Sequence, residues 1–67
     1  MTHADHAEAL ADAIDLTERR IAYYRREHAY ALEQNAPVAA AEYAERIDDL
    51  TADLAYLRRK RAQTWNA

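Results

Sequence analysis

The sequence predicts an all-α protein: an antiparallel, coiled-coil-like hairpin of two helices that dimerises into a four-helix bundle. The 67 residues include no glycine and one proline, so the chain lacks the breakers that turn-rich β and α/β folds need. Apolar residues recur at alternating steps of three and four in each half of the chain. Acidic and basic blocks occur in opposite order in the two halves, which suits helices that run in opposite directions.

Residues 1–67 are expected to form a single unit. The first helix of this unit is expected over about residues 3–34. Thr2 and Asp5 have the spacing of a capping box, and acidic residues in a first turn face the positive end of the helix dipole. The positions that should face the second helix follow the heptad steps of a coiled coil. They are Leu10, Ile14, Thr17, Ile21, Tyr24, His28 and Ala31.

A turn is expected at 35–37. Asn35 tolerates the left-handed conformation that ends helices, and Pro37 disfavours helical geometry at Ala36. Proline also suits the first turn of a following helix. These residues predict two helices and not one long one.

The second helix is expected over about 38–64, with its own heptad line. Its inward positions are Ala40, Tyr43, Ile47, Leu50, Leu54, Leu57 and Arg61. In an antiparallel hairpin the facing residue numbers add up to a constant, and the two lines match at a sum of 71. Half of that sum falls at the predicted turn. We call these two facing lines the seam.

Charge predicts the same topology. Residues 1–18 contain five acids and no lysine or arginine, whereas residues 19–26 contain four arginines and no acid. The second half has its acids first and a basic run at the end. A hairpin places opposite charges side by side, and a parallel pair would not, so the charges indicate orientation more than stability.

A narrow seam with few large apolar side chains predicts that a single hairpin needs a partner. Only 17 of the 34 hydrophobic residues are larger than alanine. A second line of apolar residues at steps of seven turns away from the seam, and the alternative is that its tyrosines are simply solvated. The predicted interface residues are Leu16, Tyr23, Tyr30, Tyr56 and Trp65. Trp65 either closes the open end of the hairpin or contacts a partner.

Few residues suggest chemistry, and no catalytic, cofactor-binding or metal-binding residue is predicted. His3 and His6 have a spacing that can share a metal on a helix, with Asp5 between them, but solvated first-turn side chains are expected. His28 is expected opposite Tyr43, either as a hydrogen-bonded core pair or as a pH-sensitive layer.

Two basic stretches leave nucleic-acid binding open as an alternative. The first interleaves arginine with tyrosine, as single-stranded nucleic acids require, and the second ends the second helix. The candidate contacts are Arg19, Arg20, Arg25, Arg26, Arg58, Arg59, Lys60 and Arg61. The competing interpretation is that both stretches pair with neighbouring acids inside the hairpin.

In length and predicted architecture the chain resembles the small dimeric plasmid copy-number regulators of the Rop type, which are four-helix bundles that bind RNA loops. The resemblance is one of architecture and carries no residue motif. The function expected is a non-enzymatic regulatory or assembly module that binds itself and another protein, with RNA or single-stranded DNA binding as the alternative. No cofactor and no membrane is expected, and the location expected is cytoplasmic. Eight arginines against one lysine suggest a bacterial or phage gene.

Overall fold

The computed structural model describes residues 3–66, with side chains from Asp5 to Thr64. It contains two helices, α1 (His3–Glu33) and α2 (Pro37–Asn66), which pack against each other along their length. The predicted all-helical hairpin is confirmed. The molecule measures 49 × 14 × 13 Å, which is the size of two helices of this length lying side by side. Thr2 of the predicted capping box lies outside the described residues.

The turn follows a Schellman motif centred on Asn35. Asn35 has a positive φ of 54°, the left-handed conformation expected from its position. The Ala36 N–H donates to the Ala31 carbonyl at 2.9 Å, and the Asn35 N–H donates to the Leu32 carbonyl at 3.2 Å. These two bonds satisfy carbonyls that would otherwise have no partner at the end of α1.

The turn occupies 34–36 and not the expected 35–37. Pro37 is the first residue of α2, because a proline at that position needs no N–H partner and already has helical φ. The Ala36 carbonyl accepts the first hydrogen bond of α2 from the Ala40 N–H at 3.0 Å. The backbone of Ala36 therefore caps the end of α1 with its N–H and the start of α2 with its carbonyl, which makes the connection short.

The core lies along the predicted seam. Ile14, Ile21 and Leu54 form its buried cluster, and the half-buried Leu50 and Leu57 pack against them. At the turn end, Ala31 and Ala40 are both buried. Among these residues, Ile14 with Leu57, Ile21 with Leu50, and Ala31 with Ala40 are pairs whose numbers add up to the predicted 71. Thr17 fits on the seam because its Oγ1 donates to the Ala13 carbonyl at 2.8 Å.

Three details of the seam differ from expectation. Arg61 is exposed, because a guanidinium cannot lose its water on so narrow an interface without a charged partner. Ala7 is buried, so the seam extends one turn further towards the open end than the larger side chains indicated. The Tyr43 ring lies against Tyr24, with centroids 6.0 Å apart, while His28, its expected partner, is half-buried.

Candidate interaction surface

The side of α1 that faces away from the seam carries a line of exposed apolar side chains. Leu16, Tyr23 and Tyr30 are 51%, 49% and 59% exposed. Steps of seven keep them on one side of the helix, roughly 130° round from the seam at 100° per residue. Because α2 packs on the other side, this line of side chains stays about half exposed to solvent.

Charged residues alternate with that line. Arg19 and Arg26 lie beside it and are exposed. Arg19 pairs with Asp15 on the same helix, with Nη2 and Oδ2 3.0 Å apart, and both side chains remain mostly in solvent. We use the name back face of α1 for the exposed set Asp12, Leu16, Arg19, Tyr23, Arg26 and Tyr30.

Tyr23 connects the back face of α1 to the core. Its ring meets Tyr24 edge to face, with centroids 5.3 Å apart, and Tyr24 in turn contacts Tyr43 across the seam. Edge-to-face pairs are favourable beyond the area they bury. The Tyr23 ring therefore packs against a half-buried neighbour while about half of it stays exposed.

The corresponding side of α2 has the opposite charge through most of its length. The back face of α2 consists of the exposed residues Glu42, Glu45, Asp49, Ala52, Tyr56 and Arg59. Tyr56 has the Lys60 Nζ 5.7 Å from its ring centroid, which is within cation–π range. Three carboxylates thus lie nearer the turn, and one aromatic ring with basic neighbours lies nearer the open end.

The predicted basic contacts do not form one continuous patch. Arg25 and Arg58 lie on one side of the hairpin, in a groove of about 380 Å³ that also contains Glu18 and Thr51. Arg20 lies on the other side, in a groove of about 240 Å³ with Arg46, Asp49 and Asp53. The remaining predicted contacts, Arg19, Arg26, Arg59, Lys60 and Arg61, are exposed elsewhere on the helices.

The contacts between the helices follow the predicted charge order. The Arg58 Nη2 lies 3.6 Å from the Glu18 Oε1, which joins the acidic half of α1 to the basic end of α2. The groove shared by Arg20, Asp49 and Asp53 joins the arginines of α1 to the acids of α2. Opposite charges are therefore neighbours on both sides of the seam.

Sequence reasoning missed a second apolar area, at the turn end. Leu32 is 56% exposed and Val38 is 73% exposed. A hollow of about 330 Å³ is lined by Leu32, Asn35, Ala36 and Pro37. Heptad spacing does not predict the exposure of these residues, because they lie at the ends of the helices, beyond the seam.

Two of the predicted positions lie outside the described side chains, namely His3 of the first-turn histidine pair and Trp65 of the interface set. Within residues 5–64, no three side chains of the metal-binding types come together. Neither helix has, over the part of the chain that the structure describes, an apolar stretch able to cross a membrane.

Comparison of the chain with protein-family models, with curated proteins and with solved structures finds no match.

Proposed function

We propose that this protein is a non-enzymatic interaction module, a helical hairpin that associates with itself and presents a charged, tyrosine-bearing face to another protein. One observation carries the proposal: the apolar side chains of Leu16, Tyr23 and Tyr30 stay about half exposed on the side of α1 that faces away from α2. Tyrosine and arginine, which alternate on this face, are enriched in protein–protein interfaces and among the residues that dominate their energy.

The accessible surface of the hairpin supports this function. The chain exposes 5207 Å². The surface of compact proteins scales to roughly 4,300 Å² at 7.7 kDa. The excess of about 900 Å² is on the order of the 800 Å² that each partner buries in a standard interface.

The small core supports it as well. The buried residues of the described chain are Ala7, Ile14, Ile21, Ala31, Ala40 and Leu54, so half of them are alanine. Alanine removes little apolar surface from water, and hydrophobic stabilisation scales with the area removed. Burial of the back faces against a partner is the available source of further stability.

The test is the double variant Tyr23→Ala with Tyr30→Ala, compared with Leu32→Ala as a control. Leu32 is equally exposed but lies away from the α1 line. Light scattering over a concentration series should show self-association weakened about tenfold or more in the double variant and unchanged in the control. If the double variant and the wild type have the same mass at every concentration, the proposal is wrong.

Binding of RNA or single-stranded DNA is the second candidate. The observation in its favour is that Tyr23 and Tyr30 share an exposed face with Arg19 and Arg26, which combines stacking rings with phosphate-binding guanidiniums. It ranks second because the grooves that hold Arg20, Arg25 and Arg58 also hold carboxylates. It predicts that affinity for mixed single-stranded RNA falls at least about tenfold between 50 and 200 mM salt, by counterion release. Absence of binding at 50 mM salt would remove this candidate.

A further inference from the structure

We propose that the back face of α1 binds the back face of α2 on a second copy of this chain, with the two turns at the same end. This inference rests on the proposed self-association and specifies its contact surface and register. The occupant follows from complementarity: one back face combines arginine with tyrosine, and the other combines carboxylates with an aromatic ring. A second copy supplies both faces without any further partner.

The register follows from the hairpin itself. Within one chain, the turn at 34–36 places at the same height residues whose numbers add up to about 71, and the core cluster includes both members of the pairs Ile14 with Leu57 and Ile21 with Leu50, which have this sum. Two hairpins that lie side by side with their turns level keep the same sums between copies. Residues of the two back faces can therefore be matched at a sum of 71 and at the neighbouring sum of 72.

The matched residues are complementary at almost every height. At a sum of 71, the pairs are Asp12 with Arg59, Arg19 with Ala52, and Arg26 with Glu45. A second set of pairs has numbers that add up to 72, which is a shift of one residue along one of the two helices. These pairs are Leu16 with Tyr56, Tyr23 with Asp49, and Tyr30 with Glu42. Two pairs join opposite charges, one is apolar, and two place a phenol hydroxyl, which can donate, opposite a carboxylate, which can accept.

No pair in either set brings like charges together. All twelve side chains are exposed in the single hairpin, so the contact needs no rearrangement of the core. Aromatic pairs and opposite charges placed directly across from one another are the contacts that favour a given register, whereas like charges oppose it.

The symmetric alternative, α1 against α1 of the second copy, is less complementary. In an antiparallel pair of α1 helices, Asp12 of each copy can lie opposite Arg26 of the other copy only where facing residue numbers add up to 38. That register places Arg19 directly opposite Arg19 of the other copy. Because like charges across an interface oppose association, the contact between α1 and α2 is favoured.

Charge reversal at one matched pair tests the register. Arg26→Glu and Glu45→Arg each place like charges opposite one another, so each variant alone should associate at least about tenfold more weakly than the wild type. The double variant restores opposite charges and should recover association. An equimolar mixture of the two single variants should also associate, because each introduced charge then meets its opposite on the other variant.

The control is Arg25→Glu, which makes the same charge change in the groove on another side of α1 and should associate like the wild type. Circular dichroism of every variant verifies that the helices are retained; the substituted residues are all exposed, so folding should survive. Sedimentation equilibrium at 50 mM salt measures the association constants.

The outcomes separate this inference from the proposed function. A wild type that associates, with single variants that do not weaken or a double variant that does not recover, overturns the register and leaves self-association standing. A wild type that is monomeric at all concentrations overturns both. Recovery in both the double variant and the mixture supports the contact between α1 and α2 and excludes the one between α1 and α1.

Discussion

Asn35 is the residue on which the turn depends. Its φ of 54° is a conformation that costs an ordinary L-residue about 1–2 kcal/mol, and asparagine and glycine tolerate it best. Asn35→Ala should therefore lower the free energy of unfolding by about 1 kcal/mol, whereas Asn35→Gly should leave it equal or slightly higher. Urea denaturation followed by circular dichroism measures both.

The matched control for Asn35 is Gln34→Ala, the preceding position, where φ is not positive. Since alanine adopts a negative φ without strain, little change in the free energy of unfolding is expected. Equal effects at the two positions would show that backbone conformation at Asn35 is not what stabilises the turn.

At the scale of one helix, the two sides of α1 should respond differently to truncation. Ile21 is only 5% exposed and Leu16 is 51% exposed on the same helix. Ile21→Ala removes buried methyl groups and should cost about 2–4 kcal/mol, enough to unfold a hairpin of this size at room temperature. Leu16→Ala should change stability by no more than about 0.5 kcal/mol.

Thermal unfolding at a concentration too low for association compares these two variants of α1. Above that concentration Leu16→Ala should begin to matter, because Leu16 belongs to the proposed interface. If both variants lost the same stability at low concentration, Leu16 would be buried as well as Ile21, which would contradict burial of α1 along one side only.

The helices were predictable where a repeated pattern decided the outcome. Ile14 and Leu54 follow from heptad spacing, and the hairpin follows from Asn35 and Pro37 together with the reversed charge order. Pattern reasoning did not find Ala7, because alanine is compatible with both surface and core and its burial depends on its neighbours. It placed Arg61 inside by spacing alone, where desolvation of the guanidinium decides.

For the candidate surface, the sequence predicted only that some apolar side chains would lie outside the seam. The spacing of Tyr23 and Tyr30 places them away from the seam, and their exposure agrees with that. Their role as an interface stays a prediction, since a sequence does not show what covers an exposed side chain. Leu32 and Val38 were missed because an apolar residue at a helix end belongs to no periodic line.

For the whole molecule, charge sets the direction of packing more than its strength. An ion pair between the helices, Glu18 with Arg58, is 3.6 Å long and at least half exposed on both sides. Exposed pairs contribute about 0–1 kcal/mol. A double-mutant cycle with Glu18→Gln and Arg58→Gln should therefore give a coupling energy below about 1 kcal/mol in low salt, and less in high salt.

Urea denaturation of the wild type, both single variants and the double variant supplies the four free energies of this cycle. Both residues also border a groove lined by other side chains. The effects of each substitution on those other contacts cancel in the cycle, so the coupling energy reports on the pair alone. A coupling well above 1 kcal/mol would show that the pair is more desolvated than its exposure indicates.

The three-residue turn also has a kinetic consequence. Ala31 and Ala40, buried on either side of the turn, are separated by a short loop whose closure takes on the order of 10–100 ns, whereas pairs near the open end must wait for α1 and α2 to form. Folding should therefore start at the turn and proceed towards the termini. In temperature-jump relaxation, Asn35→Ala should mainly slow folding, whereas Leu57→Ala should mainly accelerate unfolding.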